Sequence, residues 1–300
     1  MQRRTLLGAG LLGTAWAARG QSAEHVIEAG GARIEVQFDD GFDPATLRDA
    51  LSWVQSGADV VALYLGRLPL AQFEILVQAV DGAGVKGGTA FPESAPYLRL
   101  RLGRQTRQAQ LADDWILVHE MLHLAVPQLA RPHRWLHEGI ATYAEGAARV
   151  LAGINPAANW WGELVKGLPQ GQPQAGDRGL DHTPTWGRTY WGGALFCLLA
   201  DVQMRRAGDP RRGLREALQG LLAAGGSYAV AWPVERVLAT ADAAVGTHAL
   251  GDLYGDMKDR PHAVDLAALW RELGVRAGAA GAPTLDDDAP LAAVRRAIAG

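Results

Sequence analysis

Hydrophobic and polar residues alternate in several short stretches of the N-terminal third of the chain. Alternation in residues 25–28 and 32–38, on either side of Gly30-Gly31, predicts a β-hairpin that turns at the two glycines. Residues 97–102 alternate strictly, with leucines on one face and tyrosine or arginine on the other. This pattern predicts a half-buried strand at the edge of a sheet.

The segments between these strands have other patterns. Asp43-Pro44 is typical of a helix start, and the amphipathic pattern that follows predicts a helix to about residue 56. Residues 59–65 are apolar and β-branched enough to predict a buried strand, and residues 70–80 predict another helix. The N-terminal part is therefore expected to mix strands and helices.

Beyond Gly103 the hydrophobic residues recur at helical spacing. A helix over residues 111–126 is expected to end at Pro127, since proline interrupts a helix. The same spacing predicts further helices over residues 134–151, 189–207, 234–244 and 263–273, and one that begins at Asp209-Pro210.

These patterns predict an α+β chain in four parts. Residues 1–23 form a leader, residues 24–130 a lobe with a mixed sheet, residues 131–274 a mainly helical lobe, and residues 275–300 a linker and a C-terminal helix. The linker is rich in glycine and alanine over residues 274–283.

The leader is typical of an export signal. Arg3-Arg4 precedes an apolar run over residues 6–18 that is too short to span a membrane. The paired arginines are similar to a bacterial twin-arginine signal, but general secretory signals also begin with basic residues, so both routes stay open. We expect cleavage between residues 17 and 24, a periplasmic or extracellular protein, and no membrane anchor after cleavage.

Composition narrows the chemistry of any site. The 300 residues are 48% hydrophobic and 20% charged with a net charge of −3, which is typical of a globular protein and gives no sign of nucleic-acid binding. Cys197 is the only cysteine, and it is expected to be a buried, unreactive thiol. The chain therefore has no intramolecular disulfide and no cysteine-rich zinc site, so histidines and carboxylates must hold any metal.

The sequence His119-Glu120-Met121-Leu122-His123 lies within the first predicted helix beyond Gly103. Residues four apart project from one face of a helix, so both histidines can reach one metal ion. Glu120 lies beside them, where it can take a proton from bound water. A random chain of this composition would contain such a pattern about once in a hundred cases. A structural role for both histidines without metal remains the alternative.

The next predicted helix, over residues 134–151, extends the His-Glu-x-x-His pattern to a family resemblance. Residues 134–145 read Arg-Trp-Leu-His-Glu-Gly-Ile-Ala-Thr-Tyr-Ala-Glu. With the preceding motif they resemble the gluzincin zinc metallopeptidases of the peptidase MA-like branch, which include aminopeptidase N and glycyl aminopeptidase. The resemblance implies a zincin-like fold, Glu138 as third zinc ligand, and Glu145 as an acid that supports a ligand histidine. His137 is a rival ligand, and Glu145 could instead be a surface acid.

A third segment extends this resemblance. Tyr190-Trp191-Gly192-Gly193 resembles the start of a helix in the same enzymes, whose tyrosine donates a hydrogen bond to the oxyanion. This implies a catalytic Tyr190, although the family's lysine is Gly192 here and a merely packed tyrosine is the alternative. Nearby tryptophans could form either a substrate cleft or an aromatic core: Trp160, Trp161, Trp186 and Trp191.

The resemblance covers residues 111–201, about a third of the chain. The family's Gly-x-Met-Glu-Asn strand, which captures a free N-terminus, is not found, so endopeptidase and exopeptidase action both stay open. Residues 97–102 match the place where gluzincins align substrate along a sheet edge. We expect an exported zinc peptidase that cleaves peptide or protein substrates with Glu120 as general base. The alternative is a zincin-like domain that binds peptides or a partner without cleaving them.

Overall fold

A five-stranded mixed sheet forms the N-terminal part of the protein. The computed structural model describes residues 24–93, 95–276, 278 and 283–299. The strands are β1 (Glu24–Ala29), β2 (Ala32–Phe38), β3 (Gln72–Val80), β4 (Val85–Phe91) and β5 (Tyr97–Gly103), in the order β1-β2-β3-β5-β4. The predicted hairpin is confirmed as β1 and β2. The central strands β2, β3 and β5 run parallel, and the antiparallel strands β1 and β4 form the two edges.

One long helix, α1 (Pro44–Leu65), replaces a predicted helix and a predicted strand. The Asp43 side chain caps it by accepting a 2.7 Å hydrogen bond from the backbone N–H of Thr46. The predicted strand over residues 59–65 is wrong because its apolar residues continue the helical spacing of the preceding turns. Buried Val60, Val61, Tyr64 and Leu65 thus lie on the same face as buried residues earlier in α1.

Two further predictions in this part are wrong. The helix predicted over residues 70–80 is instead the strand β3 from residue 72 onward, and Phe73, Ile75 and Val77 are buried at alternate positions between the parallel neighbours β2 and β5. Residues 97–102 lie in β5, which pairs on both sides and is therefore interior. The edge on this side is β4, whose glycines give it a weak strand pattern.

The rest of the chain is mainly helical, so the predicted α+β class is confirmed. The helices before the C-terminal region are α2 (Gln108–Leu111), α3 (Ile116–His123), α4 (Arg134–Leu151), α5 (Ala157–Gly167), a π-helical turn (Arg188–Gly192), α6 (Gly193–Ala207), α7 (Leu214–Ala223), α8 (Val234–Val245), α9 (Ala249–Met257) and α10 (Leu266–Leu273). The predicted helix over residues 111–126 is too long, because α3 covers only residues 116–123 and residue 111 is the last residue of α2. The helix expected from Asp209 begins only at Leu214, and α5 and α9 had not been predicted.

The C-terminal region adds a small sheet and one helix. Strands β6 (Val275–Arg276) and β7 (Thr284–Leu285) pair, and α11 (Ala292–Ala299) follows. The predicted linker therefore includes β6, and its residues 277 and 279–282 lie outside the described part. So does the predicted leader, residues 1–23. Within the described ranges, the search for a helix long and apolar enough to cross a membrane finds none.

Candidate metal centre and cleft

Two adjacent helices bring three possible metal ligands together. His119 and His123 lie one turn apart on α3, and Glu138 lies on the second turn of α4. Glu138 Oε2 is 3.5 Å from the Nε2 atom of each histidine. All three residues are less than a tenth exposed. Two imidazole nitrogens and one carboxylate oxygen thus converge, and the ligand atoms lie within 4.8 Å of one another.

His137, the rival ligand, contacts the other nitrogen of His123 instead. Its Nδ1 is 3.2 Å from His123 Nδ1, and its Nε2 is 2.9 Å from the carbonyl oxygen of Pro127. Because a carbonyl can only accept, His137 donates from Nε2 and accepts at Nδ1. Burial lowers the pKa of His137 to about 3, which keeps the ring neutral. These bonds leave the lone pair of His123 on Nε2, the atom that faces Glu138.

An arginine occupies the second carboxylate oxygen of Glu138. Arg134 donates from Nε and a terminal nitrogen to Glu138 Oε1, at 3.1 and 3.0 Å, and also hydrogen-bonds Tyr190. Burial of Glu138 favours its neutral form, but when His119 and His123 are protonated their hydrogen bonds and charge outweigh burial and hold its pKa well below the usual range. Glu138 is therefore ionised, with Oε2 facing the two histidines.

Glu120 is on α3, and its side chain lies against the edge strand β4. A Cβ atom on Gly88 would lie 2.5 Å from Glu120 Cγ, so the strand approaches this closely because residue 88 is glycine. The backbone of Ala90 hydrogen-bonds the Glu120 carboxylate, and burial raises its pKa. The edge strand beside the site is thus β4, and the expectation that residues 97–102 form this edge is wrong.

Tyr190 reaches the site through a close crossing of α4 and α6. A Cβ atom on Gly139 would lie 2.3 Å from the carbonyl carbon of Gly193, so two glycines allow the helices to touch. The π-helical turn that carries Tyr190 leads directly into this crossing, and Gly139 follows Glu138 in the chain. Burial, with the negative charge of Glu138, raises the pKa of Tyr190, so the phenol keeps its proton at neutral pH.

Glu145 is buried, so its interpretation as a surface acid is wrong. Its carboxylate forms a 3.0 Å ion pair with Arg149, and burial raises its pKa to about 7. Glu145 and His119 line the same cavity, but among the described residues His119 Nδ1 has no hydrogen-bond partner. The support of a ligand histidine by Glu145 is thus not seen as a direct hydrogen bond.

The four tryptophans divide between the two expected roles. Trp160 and Trp161 are buried, whereas Trp186 is 61% exposed and lies with Trp191 on a cavity next to the site. Trp160 also lines part of this cavity. Cys197 is fully buried, and burial raises the pKa of its thiol, as expected for an unreactive cysteine.

Two residues of the site had not been singled out from the sequence, and a third had been given a different role. Arg134 and Tyr228 line the cavity that contains the candidate ligands, and His137 had been considered only as a ligand. The Tyr228 ring lies 5.1 Å from the His137 ring. Arg134 and His137 could have been found as polar residues next to Glu138 on α4, whereas Tyr228 lies far along the chain and carries no local signal.

Comparison by sequence finds no matching protein-family model and no matching curated protein. Comparison of structures finds similarity to an aminopeptidase N family protein from Idiomarina loihiensis, with a TM-score of 0.60 and 16% identity over 85% of this chain and 50% of that one. An M1 zinc metallopeptidase from Deinococcus radiodurans gives a TM-score of 0.50 and 16% identity over 80% and 51% of the two chains.

A variant M1 zinc metallopeptidase from the same organism, bound to a Tyr-Ser-Ala substrate, gives a TM-score of 0.51 and 14% identity, over 82% of this chain and 54% of that one. At these identities the similarity establishes the fold. The chain has a gluzincin-like fold of the M1 zinc metallopeptidase type, and it spans about half the length of these structures.

Proposed function

We propose that the chain is an exported zinc-dependent peptidase that hydrolyses peptide bonds with water. The observation that carries the proposal is the convergence of His119, His123 and Glu138 on one point beside Glu120. Two histidines and a glutamate are one of the ligand sets of catalytic zinc sites, which leave a coordination position for water.

The donor atoms fit zinc. His137 keeps the lone pair of His123 on Nε2, and Arg134 holds one oxygen of Glu138 so that the other is free to bind the ion. Zinc bound by these ligands would supply Lewis acidity and lower the pKa of its water toward about 7. The donor set contains no thiolate, so binding needs only neutral imidazoles and an ionised carboxylate.

The protein's own groups would move the protons. Glu120 accepts a proton from the attacking water and later donates it to the leaving amine, and its raised pKa favours this exchange. Tyr190 donates its O–H to the oxygen that becomes negative during attack. Because the pKa of Tyr190 is raised, the phenol remains a neutral donor throughout.

Peptides are the substrates that the site suits. Gly88, Thr89, Ala90 and Pro92 border the cavity of Glu120, where an extended peptide can pair with the edge strand. Three structures of the same fold contain L-tryptophan, L-arginine or a Tyr-Ser-Ala substrate.

Export follows from the leader over residues 1–23. Expression in a bacterium with fractionation and N-terminal sequencing tests it. We expect a processed protein that begins between residues 18 and 24 in the periplasm or medium, and an unprocessed cytoplasmic protein would contradict export.

The decisive experiment compares the zinc-loaded wild type with Glu120→Gln, which keeps the side-chain shape and removes the base. We expect about one zinc ion per chain in both proteins, and cleavage reduced at least about a hundredfold in the variant. Equal cleavage by both would refute this mechanism. Gly192, in place of the family's lysine, leaves room for one alternative, a domain that binds peptides without cleaving them. Tight peptide binding with no turnover by the zinc-loaded wild type would support that alternative.

A further inference from the structure

The site opens into two cavities that share His119 and Tyr190. The smaller has a volume of about 450 Å³ and contains Glu120 and the candidate ligands. The larger has a volume of about 850 Å³ and lies between α3, α4, α5 and the π-helical turn. A substrate held at the metal ligands therefore has room on both sides. The larger volume is in the range of sites that enclose whole small molecules, so it accepts even an indole side chain.

Exposed indoles border the larger cavity. Trp115 is 50% and Trp186 is 61% exposed, an unusual exposure for such large apolar side chains. The Trp115 ring lies 5.5 Å from the His119 ring, and the Trp186 ring lies 5.9 Å from the Tyr190 ring. The cavity thus adjoins the reacting centre and offers flat apolar faces, against which an aromatic ring can pack.

The charges in this cavity favour a neutral occupant. Glu145 and Arg149 pair at 3.0 Å with side chains 9% exposed, and Arg149 also donates to the backbone oxygen of Asp113. Above the raised pKa of Glu145 each charge compensates the other, so a buried charged side chain of a substrate would then have no free counter-charge at this depth. Asp113, Glu163 and Lys166 lie at the exposed rim, where water and salt screen them.

From these contacts we infer that the larger cavity is a subsite for a bulky, neutral aromatic side chain of the peptide, on one side of the cleaved bond. The inference rests on the proposed peptidase function and adds a substrate class to it. Trp186 is the principal specificity residue, because it is the most exposed of the indoles and contacts Tyr190.

The test uses the zinc-loaded protein, at a pH above the pKa of Glu145, and peptides that differ at one residue on either side of the cleaved bond. At one of these positions we expect kcat/KM for phenylalanine to exceed that for alanine about tenfold or more, with lysine and glutamate disfavoured. Trp186→Ala is expected to lower this ratio at least about threefold, and Trp186→Phe to retain most of it. Leu63→Ala is the matched control, since Leu63 is 55% exposed on α1 and outside both cavities. Its ratio should equal that of the wild type.

Equal kcat/KM for phenylalanine and alanine at both positions would overturn the subsite and leave hydrolysis intact. A phenylalanine preference unchanged in the double variant Trp115→Ala/Trp186→Ala would overturn it as well. Calorimetry on the zinc-loaded Glu120→Gln protein separates the two proposals. The wild type could cleave no peptide while the Glu120→Gln protein binds the phenylalanine peptide more tightly than the alanine peptide. If Trp186→Ala then removes this difference in affinity, the proposed hydrolysis is refuted and the subsite is supported. If nothing is cleaved and the Glu120→Gln protein shows no preference, both fail.

Discussion

The contact between His123 and His137 predicts that a residue outside the ligand set controls metal affinity. Substitution His137→Leu removes the acceptor for His123 Nδ1 and the donor to Pro127 while roughly keeping the buried volume. We expect zinc binding to weaken about ten- to a hundredfold, as outer partners of metal ligands typically contribute.

The magnitude follows from the two states of His123. When zinc occupies Nε2, the proton must stay on Nδ1, and without His137 this buried N–H lacks an acceptor at a cost of about 1–3 kcal/mol. Without zinc the ring can move its proton to the other nitrogen, so most of this cost falls on the metal-bound protein. At about 1.4 kcal/mol for each factor of ten, this agrees with the expected loss of affinity.

Competition with a fluorescent zinc chelator measures the dissociation constant. His137→Asn can still accept from His123 and should recover most of the lost affinity, whereas a zinc ligand replaced by asparagine should not recover. His182→Leu is the control for loss of a histidine as such, because the His182 side chain is 51% exposed and lies outside the site. Its dissociation constant for zinc should equal that of the wild type. A dissociation constant for His137→Leu within twofold of the wild type would refute the reasoning.

Three further predictions concern close packing and the metal. Gly88→Ala should displace Glu120 and lower kcat/KM at least about tenfold, with an unchanged circular dichroism spectrum. Gly255→Ala is the control, because a Cβ atom there meets no atom within 4 Å, and it should leave kcat/KM unchanged. Equal kcat/KM for the two variants would contradict the contact between Gly88 and Glu120. Gly139→Ala should cost about 1–3 kcal/mol in urea denaturation because its Cβ meets Gly193, and an unchanged midpoint would contradict the crossing. Removal of zinc with a chelator should lower Tm by about 5–10 °C. The reference is the protein with free zinc at about a hundred times the dissociation constant. An unchanged Tm would argue against zinc binding to the folded state.

The convergence of the three candidate ligands could be predicted because its signals are local. His119 and His123 are related by the geometry of one helix, and the amphipathic pattern of α4 gave the same bounds that the structure shows, Arg134–Leu151. The resemblance then assigned Glu138. How closely α3 and α4 approach depends on the fold of the intervening turn, so the partners of His137 could not be derived from spacing.

The errors in the N-terminal lobe have a tertiary cause. The apolar residues of β3 fit a short helix and a buried strand almost equally well, and the parallel strands on both sides decide between them. The opposite error occurred in α1, where residues 59–65 are apolar like a buried strand but lie on a long helix. Pairing partners and packing faces are properties of the fold, and a short window of sequence does not contain them.

The departure of Gly192 from the family's lysine also has a physical reason. Gly192 is buried, and a Cβ atom there would lie 3.1 Å from Leu180 Cδ2 and 3.3 Å from a guanidinium nitrogen of Arg188. A side chain at this position would therefore crowd Leu180 and Arg188, and Arg188 pairs with Asp177 at 2.8 Å. The glycine thus permits tight packing of the turn that carries Tyr190, and the missing lysine does not by itself argue against a role for the phenol.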